Sequence, residues 1–352
     1  MEMENRNENK LKTYCVTGAT GYIGSWLVKS LLERGHNVHA TLRNPEKSFP
    51  LFKSWEGRDR LSLFRADLQE DGSFDEAVRG CHGLFHVAAS MEFGVPDVEN
   101  IDCYVKTKVI DPAIKGTLNV LKSCLRSKNT VKKIVFTSSI STLTAKDSSG
   151  KWIPLVDESC QPPVHQVLKN KASGWVYVLS KLLAEEAAFK FARENEMDLI
   201  SVITTTVGGP FLTPTVPASI QVLLSPITGD PGMFPILGAV NSRMGSIALV
   251  HIEDICSAHI FLMENSKSEG QYICCTQSCV LSELVKKLGK EYPCSSLQRF
   301  DGEGKDDQVP VEISSKKIRD LGFDFKYTIE DIISQTVRKC LDYTFLVPTT
   351  HS

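Results

Sequence analysis

Charge of one sign is missing from this sequence: 40 Lys plus Arg stand against 42 Asp plus Glu, a net charge of −2. Such balance supplies no field for holding nucleic acid or an anionic lipid surface. Long apolar runs are missing too, since no stretch approaches the roughly 18 uninterrupted apolar residues of a membrane span. Residues 1–12 are polar, and with Glu2, Glu4 and Glu8 they match neither a secretory signal nor an acid-poor transit peptide. A cytoplasmic protein with no membrane span and no nucleic-acid partner is expected. The 11 cysteines are odd in number and lack paired C-x-x-C spacing or an associated histidine pair, which argues against a disulfide framework or a metal site. Even the densest group, Cys274, Cys275 and Cys279, falls in or beside the apolar run 271–275 and reads as buried thiols.

What is present is an alternation. Short β-branched or apolar runs at 14–17, 37–42, 61–64, 83–87, 133–137 and 199–203 read as strands, most of them separated by segments with apolar residues three and four apart. That pattern marks a parallel sheet covered by helices. One helix follows the first strand, with Leu27 over Leu31, Val28 over Leu32 and Gly35 as its stop. Another runs from Tyr177 to Arg193 with one apolar and one charged side. Past Gly208-Gly209-Pro210, prolines up to Pro235 break the chain into short pieces, which reads as the start of a smaller lobe. A helix at 252–263, a strand at 270–275 and helices at 281–289 and 328–343 complete it.

Gly18, Gly21 and Gly24 lie between the first strand and its helix. Glycines at such a junction make a tight turn, let backbone approach a pyrophosphate and set it at a helix N-terminus. The spacing G-x-x-G-x-x-G differs by one residue from the commoner G-x-G-x-x-G. About twenty residues further on, the second strand meets the adenosine ribose, with an acid for NAD or a cation for NADP. That strand ends here in Thr41-Leu42-Arg43, so Arg43, with Lys47 as helper, predicts NADP(H).

A second constellation joins Thr137-Ser138-Ser139, at the end of the fifth strand, to Tyr177 and Lys181 on the long helix. Four residues apart, the ammonium stands beside the phenol and favours its ionised form. A phenol so tuned can give a proton to a carbonyl oxygen as hydride arrives, while Ser139 holds that oxygen. Ser139, Tyr177 and Lys181 are therefore the candidate catalytic residues. His86 and His251 have no second ligand at useful spacing and read as structural. Asp75-Glu76 and Glu185-Glu186 read as solvated helix faces.

With these motifs the sequence resembles the extended short-chain dehydrogenase/reductases, and within them the plant dihydroflavonol reductase and anthocyanidin reductase group, from Tyr14 to about Tyr343. The likeness is carried by GATGYIGSW at 18–26, DGSFDEAVRG at 71–80, FTSS at 136–139, SPITG at 225–229, VHIED at 250–254 and FDFKY at 323–327. The resemblance implies that Ser139, Tyr177 and Lys181 form a catalytic triad, with Lys181 also on the nicotinamide ribose. It implies that Gly18, Gly21, Tyr22, Ile23 and Gly24 cradle the pyrophosphate and that Arg43 meets the 2′-phosphate. Asp67 and Leu68 then flank the adenine, Val87, Ala88 and Ala89 line the cofactor groove, and the stretch from Thr204 to Val207 borders the nicotinamide.

Departures from the dihydroflavonol reductases bear on the substrate. Thr144 stands where they have Asn, and Thr204-Thr205-Thr206 replaces their Pro-Thr-Leu, which changes the shape and polarity of the pocket. The pocket candidates are Met91, Phe93, Thr144, Thr206, Thr215 and Gln221.

The expected architecture is α/β: a flexible segment 1–12, an NADP-binding domain 13–209 with a Rossmann-like doubly wound parallel sheet, a smaller C-terminal substrate-binding lobe 210–345 with some segments returning to the first domain, and a flexible tail 346–352. The expected activity is NADPH-dependent transfer of hydride to a carbonyl or conjugated enone of a plant phenolic, flavonoid-like or other secondary metabolite, anthocyanidin reductase-like, by a monomer. Two rivals remain. One is an NAD-dependent sugar-nucleotide epimerase or dehydratase, which shares fold and triad but favours an acid where Arg43 stands. The other is an NADP-binding regulator without turnover.

Overall fold

The computed structural model describes residues 11–89, 96, 98–147, 149–294, 297 and 311–347. In chain order the strands are β1 Thr13–Thr17, β2 Asn37–Leu42, β3 Leu61–Arg65, β4 Gly83–His86, β5 Lys133–Ser139, β6 Leu155–Val156, β7 Leu199–Thr204, β8 Thr206–Gly208, β9 Ile247–His251, β10 Gly270–Cys274, β11 Gln277–Cys279 and β12 Glu312–Ile313. A seven-stranded parallel sheet has the order β10-β7-β5-β4-β1-β2-β3. The winding reverses between β1 and β4, where Val16 pairs with Phe85. In doubly wound sheets the ligand crevice opens at this point, beyond the carboxyl ends of the strands.

Both faces of the sheet are covered, and strand alternation divides the side chains between two cores. Tyr14, Val16, Phe85 and Val135 face one core, shared with the helices Tyr22–Glu33 and Ile252–Glu264. Cys15, Leu84, Ile134 and Phe136 face the other, which Val120 and Ala188 enter from the helices Asp111–Arg126 and Trp175–Glu194. Strands buried on both faces read as continuous apolar runs. A third core, with Phe211, Leu223, Leu237, Leu249, Leu284 and Ile332, builds the smaller lobe around the sheet β11-β9-β8. Two bonds fasten this lobe to the glycine loop and its helix: Tyr22 Oη donates to Gly209 O and Trp26 Nε1 to Pro210 O, both at 3.0 Å. Among the described residues no helix is long and apolar enough to cross a membrane.

Two expectations change. The segment 270–275, read as part of the smaller lobe, supplies β10, the edge strand of the main sheet, with Tyr272 beside Val202 of β7. Its buried run Tyr272-Ile273-Cys274 is the signature of a parallel strand, but the partner is set by the fold. The proline-rich stretch, read as short pieces, holds two 11-residue helices, Ala218–Thr228 and Phe234–Met244. Pro235 lies in the first turn of the second helix, where no N–H is required. Pro226 lies inside the first. The Val222 carbonyl that its missing N–H would have bonded accepts the Ser225 hydroxyl instead, at 2.7 Å.

Candidate active site

A cavity of about 1800 Å³ opens beyond the carboxyl ends of β1, β4, β5 and β7 and continues against the smaller lobe. At one end Gly18, with φ +68°, turns the chain in the left-handed region, and a Cβ there would come within 2.9 Å of the Ala88 backbone. A Cβ on Gly24 would lie 2.1 Å from Gly18 O. The helix Tyr22–Glu33 starts from Gly21 with no side-chain cap, so its leading N–H groups are left for an anion. A pyrophosphate fits this cradle. Thr17 locks the loop to β4: its hydroxyl accepts the N–H groups of Val87 and Ala88, both at 3.0 Å, and donates to His86 Nδ1 at 2.9 Å. His86 is thereby a neutral acceptor, held at a pKa of about 3 by burial and, secondly, by the Lys181 charge.

Ser139 ends β5, while Tyr177 and Lys181 occupy the first turns of the helix Trp175–Glu194, and all three line the cavity. The Ser139 hydroxyl acts on the Tyr177 phenol and pulls its pKa down, and Lys181 Nζ donates to Thr137 O at 2.7 Å. Burial pushes the phenol pKa up, against the pull of Ser139, so Tyr177 is held protonated and not ionised as its spacing from Lys181 suggested. The Lys181 pKa is lowered to about 8, chiefly by burial, with Glu185 opposing the shift. A protonated phenol beside a serine hydroxyl, with an ammonium one turn away, can hand a proton to an oxygen that the serine holds.

Glu185, read as solvated, is only 2% exposed. Its carboxylate accepts from Ser138 at 2.8 Å, Ser201 at 2.5 Å and Gln271 at 3.0 Å, which are donors from β5, β7 and β10. Tyr177, Lys181 and Glu185 recur every four residues and so share the helix face turned to the sheet, where strand hydroxyls replace water. That spacing was the available signal. Glu186, one residue on, is exposed as expected.

Arg43, exposed past the end of β2, lines the cavity together with Asp67, Leu68, Val87, Ala88, Ala89, Thr204 and Val207. Thr206, Thr215 and Gln221 line it as well. Thr144 is not among the lining residues: its hydroxyl accepts the Lys146 N–H at 3.3 Å in a local turn, and its own N–H bonds Cys160 O at 2.8 Å. Met91, Phe93 and the Lys47 side chain lie outside the described residues. The threonines 204–206 all line the cavity, and two of their hydroxyls also brace strands: Thr204 donates to Ser138 O at 3.1 Å and Thr205 to Cys274 O at 3.0 Å. Ser141, Phe211, Arg243, Lys339 and Tyr343 also line the cavity, though none was among the residues expected there. No motif marks them, because the packing of the smaller lobe brings four of the five to the site. Among the described residues no group of His, Cys, Asp and Glu is arranged to hold a metal ion.

Residues 14–275 match the NAD dependent epimerase/dehydratase family. A putative anthocyanidin reductase of Ginkgo biloba is 47% identical over 332 residues, which cover 92% of this chain and 93% of the relative. A bifunctional dihydroflavonol 4-reductase/flavanone 4-reductase of Malus domestica is 43% identical, covering 94% of this chain and 90% of the relative. The crystal structure of vestitone reductase from alfalfa (Medicago sativa) is similar with a TM-score of 0.76 at 33% identity, covering 95% of this chain and 100% of that one.

Proposed function

This chain belongs to the NAD dependent epimerase/dehydratase family, in the extended short-chain branch with the plant dihydroflavonol and anthocyanidin reductases, and on that premise we propose that it is an NADPH-dependent reductase of a carbonyl or conjugated enone on a plant phenolic or flavonoid-like metabolite. The observation that carries the proposal is the meeting of Ser139, Tyr177 and Lys181 on the wall of one cavity with the glycine loop. Gly18, Gly21, Tyr22, Ile23 and Gly24 would hold the pyrophosphate, Asp67 and Leu68 the adenine, and Val87, Ala88, Ala89, Thr204 and Val207 the groove. Arg43 would take the 2′-phosphate, and a cation at this strand end speaks against the NAD-dependent epimerase. When bound, the reduced nicotinamide supplies a hydride.

The chain's own residues supply the rest. Ser139 holds the carbonyl oxygen by a hydrogen bond. Tyr177, kept protonated by burial, gives its phenolic proton to that oxygen as negative charge develops there. The Lys181 ammonium then stabilises the phenolate left behind.

NADPH consumption with flavonoids, phenolic ketones, aldehydes and enones tests this, run beside NADH and beside Tyr177→Phe. The expected result is turnover of a phenolic or flavonoid carbonyl, preferring NADPH, with kcat lowered on the order of 10²–10⁴-fold in Tyr177→Phe while NADPH still binds. Unchanged turnover in that variant, or NADPH binding without turnover on any class, overturns the proposal; the latter outcome favours a regulator.

A further inference from the structure

The smaller-lobe wall of the cavity carries a cation with nothing to neutralise it. Arg243, in the last turn of the helix Phe234–Met244, lines the cavity. Its Nε is closed off from solvent and has no hydrogen-bond partner. The same is true of Ser141 Oγ, which lines the same cavity two residues beyond Ser139. Ala145 N–H donates to the Arg243 carbonyl at 3.2 Å, so the end of this helix is fastened to the segment that leaves Ser139. Buried polar groups are nearly always paired, yet Arg243 and Ser141, two side chains of the cavity wall, are each left short of a partner within the described protein.

The charge balance of the cavity says which kind. Asp67 is the one carboxylate among the described residues that line it, whereas Arg43, Lys108, Lys181, Arg243 and Lys339 bring positive charge. Asp67 and Arg43 belong to the adenosine end and Lys181 to the reacting end, which leaves Arg243 with no acidic neighbour. Burial lowers its pKa to about 10, with no carboxylate contributing, so the guanidinium stays charged at neutral pH. Its planar fork matches two oxygens of an anion. Phe211, Val216, Val222 and Val240 line the same cavity and suit an aromatic body.

We propose that Arg243 is a specificity site for a second, anionic oxygen of the substrate, a carboxylate or an ionised phenol, while Ser139 and Tyr177 take the reducible carbonyl. This rests on the reductase reading and narrows it to aromatic carbonyl compounds that carry an acidic oxygen.

The test uses 4-carboxybenzaldehyde and its methyl ester, which share a reducible aldehyde and differ in charge. Wild type is expected to show a KM for the acid about tenfold or more below that for the ester. Arg243→Gln raises the KM for the acid roughly ten- to a hundredfold, changes the KM for the ester by less than about twofold, and leaves the KM for NADPH alone. Arg243→Lys keeps the preference in weakened form, and a melting temperature near that of wild type in either variant shows that the fold is intact. With 4-hydroxybenzaldehyde, a wild-type KM that falls as the phenol ionises, and does so no longer in Arg243→Gln, assigns the phenolate as a ligand alongside the carboxylate. Equal losses for acid and ester, or no preference in wild type, overturn the proposal. Calorimetry with benzoate and the NADP⁺-loaded protein needs no turnover. Benzoate bound by wild type and not by Arg243→Gln upholds the anion site even if no aldehyde is reduced, and reduction of aldehydes without Arg243-dependent benzoate binding rejects the site while keeping the reductase.

Discussion

Lys181 and Glu185 lie one turn apart on the helix Trp175–Glu194, both withdrawn from water. Burial favours the neutral amine and the carboxylate charge opposes that, which leaves the Lys181 pKa at about 8. On the proposed mechanism Glu185 is then a positioning residue that acts through Lys181. Glu185→Gln should move the alkaline fall of kcat to lower pH, because an ammonium deprived of its anion gives up its proton more readily. Ser201→Ala removes a donor but keeps the charge, and should cost about 1–3 kcal/mol of stability without moving that limb. An unmoved limb in Glu185→Gln refutes the assignment. The chain announced Tyr177 and Lys181 because their four-residue spacing follows a glycine loop and a Thr-Ser-Ser strand end. It did not announce Glu185, since its three donors come from β5, β7 and β10 and no local pattern records that convergence. Arg243 was illegible for the same reason: its significance lies in the partners it lacks.

Elements were legible where one physical rule governs them. The runs at 14–17 and 133–137 announce strands because both faces of the sheet are covered, and the helix after β1 ends as Gly35 predicts, with φ +87° and its N–H on Leu32 O at 2.9 Å. The helix Ala218–Thr228 was hidden because a proline count cannot register the Ser225 hydroxyl that replaces the lost donor. The glycine loop permits a sharper test at this scale. Gly24→Ala places a methyl group 2.1 Å from Gly18 O, so strand, loop and helix must part. Overpacking of this kind costs about 1–3 kcal/mol, and NADPH affinity should fall by about tenfold or more if the loop binds the pyrophosphate. Gly238→Ala, in the helix Phe234–Met244 with nothing within 4 Å of the new Cβ, should instead be neutral or stabilising by about 0.5–1 kcal/mol. Fluorescence titration with NADPH and thermal melts of both variants check this pair, and wild-type affinity in Gly24→Ala would falsify the cradle.

Across the whole molecule, two neutral histidines hold the strand ends on which the cavity is built. Thr17, at the end of β1, donates to His86 Nδ1, and Thr137, near the end of β5, donates to His259 Nε2, both at 2.9 Å, while His259 Nδ1 donates to Ile255 O at 2.7 Å. Thr17 also carries the loop bonds to Val87 and Ala88, and the Thr137 carbonyl receives Lys181. Burial holds the two imidazoles at pKa values of about 3 and about 4, below the ordinary 6.5. Between the folded and ordinary values the unfolded chain binds more protons, so stability rises with pH there and is lost on acidification below about 6.5, by about 1.4 kcal/mol per pH unit for each histidine. His251, also lowered by burial, adds in the same direction. Urea unfolding should therefore show a loss of roughly 3–4 kcal/mol between about pH 7 and about pH 5. His86→Gln, which keeps an acceptor for Thr17 and removes the titrating ring, should flatten that slope. Equal stability at the two pH values would mean that neither ring is buried as a neutral acceptor. A slope untouched by His86→Gln would move the acid sensitivity away from the β1–β4 junction and toward His259 at the end of β5.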